Sequence, residues 1–140
     1  MKHHYLVKDN QGYDYLSRKI LSSFIKDDNL IIFINGNMGV GKTSLCSSFA
    51  RVYDVYDLCS SSFGLVNTRV GLRNIIHADL YRSVLTEEFF GNEILPLLDK
   101  PFLLMMEWVN PQLISKQAVH LSISITLAPN YDRKLEVSLM

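Results

Sequence analysis

Eight consecutive residues constrain this chain more than any others: Gly36-Asn37-Met38-Gly39-Val40-Gly41-Lys42-Thr43. They fit the pattern G-x-x-x-x-G-K-S/T, a loop that wraps a polyphosphate. Successive backbone N–H groups can surround a cluster of oxyanions only where the chain turns tightly with no Cβ in the way. Gly36, Gly39 and Gly41 supply that freedom. The ammonium of Lys42 can reach the β- and γ-phosphates, and the hydroxyl of Thr43 can ligate Mg²⁺. The flanks agree with this reading. Leu30-Ile31-Ile32-Phe33-Ile34 is an apolar, β-branched run that predicts a buried strand. Thr43 to Arg51 reads as a helix whose positive N-terminal end faces the phosphates. An accidental glycine turn is the competing reading, and it explains neither the strand before nor the helix after.

The chain of 140 residues is long enough for a core and reads as one domain over residues 1–140. Formal net charge is zero. That argues against a protein that holds nucleic acid by its own field, which needs a basic face, and leaves room only for a local basic patch. The two cysteines, Cys46 and Cys59, read as reduced thiols, with Cys46 packed on the helix after the loop. Met1-Lys2-His3-His4 opens no secretory leader, and the apolar runs are too short to span a membrane. The expected compartment is the cytoplasm.

Along the chain, His3 to Val7 predicts a short edge strand. His3 and His4 lack the Cys or carboxylate companions of a metal site. Leu16, Ile20, Leu21, Phe24 and Ile25 recur at helical spacing and predict a helix from Tyr13 to Lys26 with one buried face. Asp54 to Phe63 is polar and serine-rich, an exposed loop. Leu65 to Val70 and Asn74 to Leu80 predict a hairpin. Thr86-Glu87-Glu88 starts a short helix that Gly91 and Pro96 break. Phe102 to Met106 is a buried strand, with Met105 and Met106 in the core. Val119 to Leu127 alternates apolar and polar, the mark of a half-exposed strand, and pairs with Leu135 to Leu139 in a terminal hairpin. The fold class is α/β: a mixed central sheet with few flanking helices.

Triphosphate chemistry needs Mg²⁺ and a carboxylate near the attacking water. In open α/β sheets such groups stand at the carboxyl ends of strands beside the phosphate loop. Asp79 and Glu107 end two strands and are the candidates. Trp108 is either a packing residue or an aromatic face beside the nucleotide. His77 reads as a strand residue with a satisfied ring rather than a base. Tyr81 and Arg82 either orient this region or face a partner.

The order of phosphate loop, Ser60-Ser61-Ser62-Phe63-Gly64-Leu65-Val66-Asn67, His77-Ala78-Asp79-Leu80-Tyr81-Arg82, Glu87-Glu88 and Glu107-Trp108 resembles the TsaE (YjeE) family. These are small bacterial ATPases of tRNA threonylcarbamoyladenosine biosynthesis with a P-loop fold. The resemblance runs from the first helix to the terminal hairpin and is most specific in His-x-Asp-Leu-Tyr-Arg followed by Glu-Trp. It implies ATP and Mg²⁺ as cofactors. The loop from Asn37 through Met38, Gly39, Val40 and Gly41 to Lys42, Thr43 and Ser44 would hold the nucleotide. Thr43, Glu107, Asp79 and Ser62 would surround the metal, and Glu107, Asp79 and Lys42 would carry hydrolysis. Trp108 belongs to the nucleotide site, and Arg133, in the position of a basic residue in the family's last hairpin, would reach the nucleotide. The partners implied are TsaD-type and TsaB-type subunits, with tRNA met only through the complex. The chain departs from the family pattern at Asn37, Met38 and Val40, and at Ser61 and Ser62, which stand for Pro and Thr. It departs again at Ala78, which stands for Phe, and at Val109, which stands for Pro.

Two other functions fit a phosphate loop. A small-molecule kinase needs a lid carrying several Arg, yet after Arg82 the only basic residues are Lys100, Lys116, Arg133 and Lys134. A nucleotide-binding interaction module without hydrolysis would not need Lys42, Thr43, Asp79 and Glu107 together.

Overall fold

The structure, a computed structural model, describes residues 2–8, 11–24, 29–37, 39–58, 66–80, 86–109 and 119–139, with residues 23 and 24 as backbone only. The predicted Leu65, the serine loop at 59–63, Met38, Tyr81 and Arg82 lie outside the described residues, as does the end of the first helix expected at 25–26. The strands are β1 (Lys2–Val7), β2 (Leu30–Gly36), β3 (Val66–Val70), β4 (Asn74–Asp79), β5 (Phe102–Glu107), β6 (Val119–Leu127) and β7 (Arg133–Leu139). They form one sheet in the order β1-β7-β6-β2-β5-β4-β3. Its centre is parallel: β2 pairs with β5 and β6, and β5 with β4. Antiparallel strands close both flanks, β3 on β4, and β7 on β6 with β1 beyond it. The α/β class and the mixed sheet expected from the two hairpins are therefore observed.

Side chains alternate across the sheet, so each central strand feeds two cores. Leu30, Ile32 and Ile34 of β2 and Leu103 and Met105 of β5 pack in one core with Leu16 and Ile20 of α1 (Asp14–Phe24) and Leu45 and Phe49 of α2 (Lys42–Val52). Ile31, Phe33, Leu104 and Met106 point the other way and pack with Ile76, Ile94 and Leu80. Both methionines are thus core residues, on opposite faces. An exposed ion pair, Arg51 to Asp14 at 2.6 Å, links α2 to α1; such pairs contribute about 0–1 kcal/mol.

The third helical segment is as broken as its glycine and proline predict. Thr86 accepts a hydrogen bond from the N–H of Phe89 and caps a single turn, Glu87–Phe89. That turn widens into a π-helical stretch, Phe90–Ile94, and tightens into a 3-10 turn, Leu95–Leu97, which contains Pro96. One expectation needs correction. β6 is half-exposed only in its second part: Ser124 and Thr126 face solvent, but His120 is 5% exposed. β6 lies inside the sheet between β2 and β7, and His120 meets the ring of Phe33 edge-on at 5.7 Å. Among the described residues no helix is long and apolar enough to cross a membrane.

Candidate functional site

β2 runs out at Gly36, and the loop that follows turns into α2. A Cβ on Gly36 would stand 2.7 Å from the carbonyl oxygen of Ile125 on β6, so only glycine lets the strand leave the sheet this close to its neighbour. Gly41, the N-cap of α2, has φ 102°, and a Cβ there would meet the Tyr13 hydroxyl at 2.9 Å. No side chain caps α2 and no acid occupies its first turn. Its first backbone N–H groups and the positive end of its dipole are therefore available to an external anion.

These N–H groups open onto a cavity of about 380 Å³ lined by Gly39, Gly41, Lys42, Thr43, Ser44, Asp79, Glu107 and Trp108. Lys42 donates hydrogen bonds to the carbonyls of Gly36 and Asn37, both at 2.9 Å. Burial pushes its ammonium below the usual lysine range, while the charges of Glu107 and Asp79 pull it back up. The indole of Trp108 covers the ammonium. Trp108 adopts φ 66°, the left-handed region. For a bulky residue that conformation costs about 1–3 kcal/mol and persists only where the surroundings hold it.

The strand ends bring the acids to the same cavity. β4 and β5 are paired in register, Asp79 opposite Glu107, and the N–H of Leu80 still donates to the Glu107 carbonyl at 3.3 Å. Two-residue alternation puts His77 and Asp79, and Met105 and Glu107, on the face that carries α2. The Glu107 carboxylate is the centre of the group. Thr43 Oγ1 donates to its Oε2 at 3.2 Å and lies 3.5 Å from Oε1. Cys46 Sγ reaches Oε2 at 3.9 Å, and His77 Nε2 lies 2.5 Å from the same oxygen. The His77 and Glu107 side chains are 1% and 2% exposed. Burial, reinforced by the nearby negative charges of Glu107 and Asp79, holds the Cys46 thiol well above the ordinary cysteine range, so it is a neutral thiol at neutral pH.

Hydroxyl and carboxylate oxygens converging beside an ammonium and a helix N-terminus are a hard donor set, the kind that suits Mg²⁺ between protein and phosphate oxygens. Thr43, Glu107 and Asp79 fit that ion.

Asn37 is exposed at the loop's start, and Val40 is buried, its carbonyl accepting from the Tyr13 hydroxyl at 3.3 Å. Arg133 does not line the cavity. Its guanidinium donates to the carbonyls of Gln11 (2.6 Å) and Lys8 (3.3 Å) and lies 4.6 Å from the centroid of the Tyr13 ring, behind Gly41. Met38 and Ser62 lie outside the described residues. Sequence reasoning missed three contacts: His77 on Glu107, Cys46 on Glu107, and Tyr13 on the loop. The i, i+2 spacing of His77 and Asp79 in one strand is the signal that could have found the first.

The architecture is similar to that in the crystal structure of Bacillus subtilis YdiB, with a TM-score of 0.64 at 19% identity, over 99% of this chain and 86% of that one. At that identity the likeness establishes the fold. No curated protein matches the chain. The sequence pattern of the family described as "Threonylcarbamoyl adenosine biosynthesis protein TsaE" matches residues 7–135. With that match spanning nearly all of a chain built around a phosphate loop, the protein belongs to the TsaE family of threonylcarbamoyl adenosine biosynthesis, a family of P-loop nucleotide-binding proteins.

Proposed function

We propose that this chain binds ATP with Mg²⁺ and hydrolyses it, slowly alone and faster with partners. In this role it is a nucleotide-dependent switch on a TsaB/TsaD-type complex of tRNA threonylcarbamoyladenosine modification in the cytoplasm. The observation that carries the reading is the meeting of Thr43 and Glu107, at 3.2 Å, beside Lys42 at the N-terminus of α2. The loop N–H groups and Lys42 hold the β- and γ-phosphates, with Lys42 exchanging its two carbonyl partners for phosphate oxygens. Thr43 and Glu107, with Asp79 beside them, would hold Mg²⁺ directly or through its water shell. When bound, that ion neutralises charge on the transferred phosphoryl group. Glu107 or Asp79 orients the attacking water, and Trp108 shields one side of Lys42 from solvent. Ser62, in the serine-rich loop, is the candidate for sensing the metal or γ-phosphate; Arg133 could contact the nucleotide only by leaving the carbonyls of Gln11 and Lys8 that hold it outside the cavity. A switch needs different affinities in its two states.

The test is phosphate release by the purified chain, with and without a TsaB/TsaD-type complex, joined to calorimetric titration of that complex in ATP, in ADP and without nucleotide. Stimulated release and tighter binding in ATP are expected. Equal affinity in all three conditions removes the switch, and no release in any condition leaves a nucleotide-binding module.

A further inference from the structure

We propose that His77 is the positioning residue for Glu107. It ties down one carboxylate oxygen so that the other is presented to the metal. The proposal rests on the Mg²⁺–ATP reading above.

The two oxygens of Glu107 are not equivalent. Oε2 meets His77 Nε2 at 2.5 Å, Thr43 Oγ1 at 3.2 Å and Cys46 Sγ at 3.9 Å. Among the described residues Oε1 meets only Thr43, at 3.5 Å. The lone pairs of Oε1 are the ones left for a cation or its water. A buried carboxylate pivots about its last bonds unless a donor fixes it, and a hydroxyl and a weak thiol donor are poor anchors. His77 supplies the strong one. Its other ring nitrogen, Nδ1, is buried and has no hydrogen-bond partner among the described residues. A proton there would be stranded in the interior, so the ring proton sits on Nε2 and is donated to Glu107. The backbone makes this contact reproducible. β4 and β5 are parallel neighbours with Asp79 opposite Glu107, so His77, two residues back, stands on the same face within reach of that side chain. A histidine two residues before the first acid therefore orients the second.

The experiment is calorimetric titration of ATP, in EDTA and in Mg²⁺, into the unmodified chain and into H77Q, H77N and H77L. Glutamine carries an amide N–H at the same bond count as Nε2; asparagine stops one bond short; leucine has no donor. Melting temperatures are recorded alongside. All four proteins are expected to bind ATP about equally in EDTA, where the loop and Lys42 act without the metal. The tightening by Mg²⁺ is expected to fall about tenfold or more in H77N and H77L, the scale of losing an outer support of a metal ligand. It should be largely kept in H77Q. Unchanged Mg²⁺ tightening in H77N overturns the proposal. So does an equal loss in EDTA and Mg²⁺, which marks a packing role, and so does a glutamine variant as impaired as the asparagine one. If H77L fails to fold, the comparison of Gln with Asn decides alone. An unmodified chain that binds ATP no better in Mg²⁺ than in EDTA overturns the metal reading itself, and a chain that binds no ATP overturns the nucleotide reading.

Discussion

The ammonium of Lys42 lies 4.0 Å from the ring centroid of Trp108 while donating to the carbonyls of Gly36 and Asn37. Three N–H groups thus face two carbonyls and a π-face, which together hold a cation in a half-dry site. A polyphosphate can engage this lysine only by displacing those partners. Trp108 is the single tryptophan of the chain. ATP is therefore expected to change the indole emission as the ammonium leaves the ring. Lys42→Ala should weaken ATP binding by about tenfold to a hundredfold or more, the range for hydrogen bonds to charged groups. Calorimetry showing unchanged affinity would remove Lys42 from the phosphate site.

Glu107→Gln keeps the size of the side chain and removes its charge. ATP binding should survive because the loop and Lys42 are untouched. Hydrolysis should fall at least about tenfold, the scale of losing a positioned catalytic group. Wild-type turnover would pass the role to Asp79 or to a group from a partner.

The lowered proton affinity of Lys42 sets a pH dependence with a definite sign. Burial is the leading cause, and it disfavours the charged form in the folded chain. Between the folded value and the ordinary value of 10.5, the unfolded chain binds more protons at this residue. Stability contributed by this group therefore rises with pH across that window, and below it the cost of burying the charge is present in full. Lys42→Met removes the buried charge, so denaturant melts of the two proteins should converge as pH rises through that window. The difference cancels Tyr13 and Tyr53, whose phenols burial also shifts. A constant difference would show that the ammonium is not desolvated.

Cys46 is fully buried, and its thiol is held well above the ordinary cysteine range. Only the thiolate is nucleophilic. Peptide mapping after iodoacetamide at mildly alkaline pH should find Cys46 unmodified in the native protein and modified in urea. Rapid native labelling would contradict the packing of α2 against β5.

Arg133 braces the turn before α1 through two carbonyls and the Tyr13 ring, and Tyr13 in turn touches Gly41 and Val40. Arg133→Ala is expected to cost about 1–3 kcal/mol, the range for hydrogen bonds made by a charged group. Chemical denaturation measures this, and an unchanged midpoint would show that the brace carries no weight.

The features legible in the sequence are those written over short range. The glycine-lysine-threonine spacing announces strand, loop and helix in one stretch, because the loop's geometry demands those residues locally. Runs such as Leu30 to Ile34 and Phe102 to Met106, and the acids that end Asn74–Asp79 and Phe102–Glu107, announce central strands and the chemistry at their tips. Tertiary structure decided what lies between distant segments. The placement of β6 beside β2 buried His120, which alternation alone had made half-exposed. The register of β4 on β5 set Asp79 opposite Glu107 and brought His77 onto the same carboxylate; a slip of one residue would have turned His77 to the other face. The left-handed turn at Trp108, which no sequence rule requires, laid the indole on Lys42. Periodicity tells each strand which of its residues share a face, but only the packed sheet determines which neighbour that face meets.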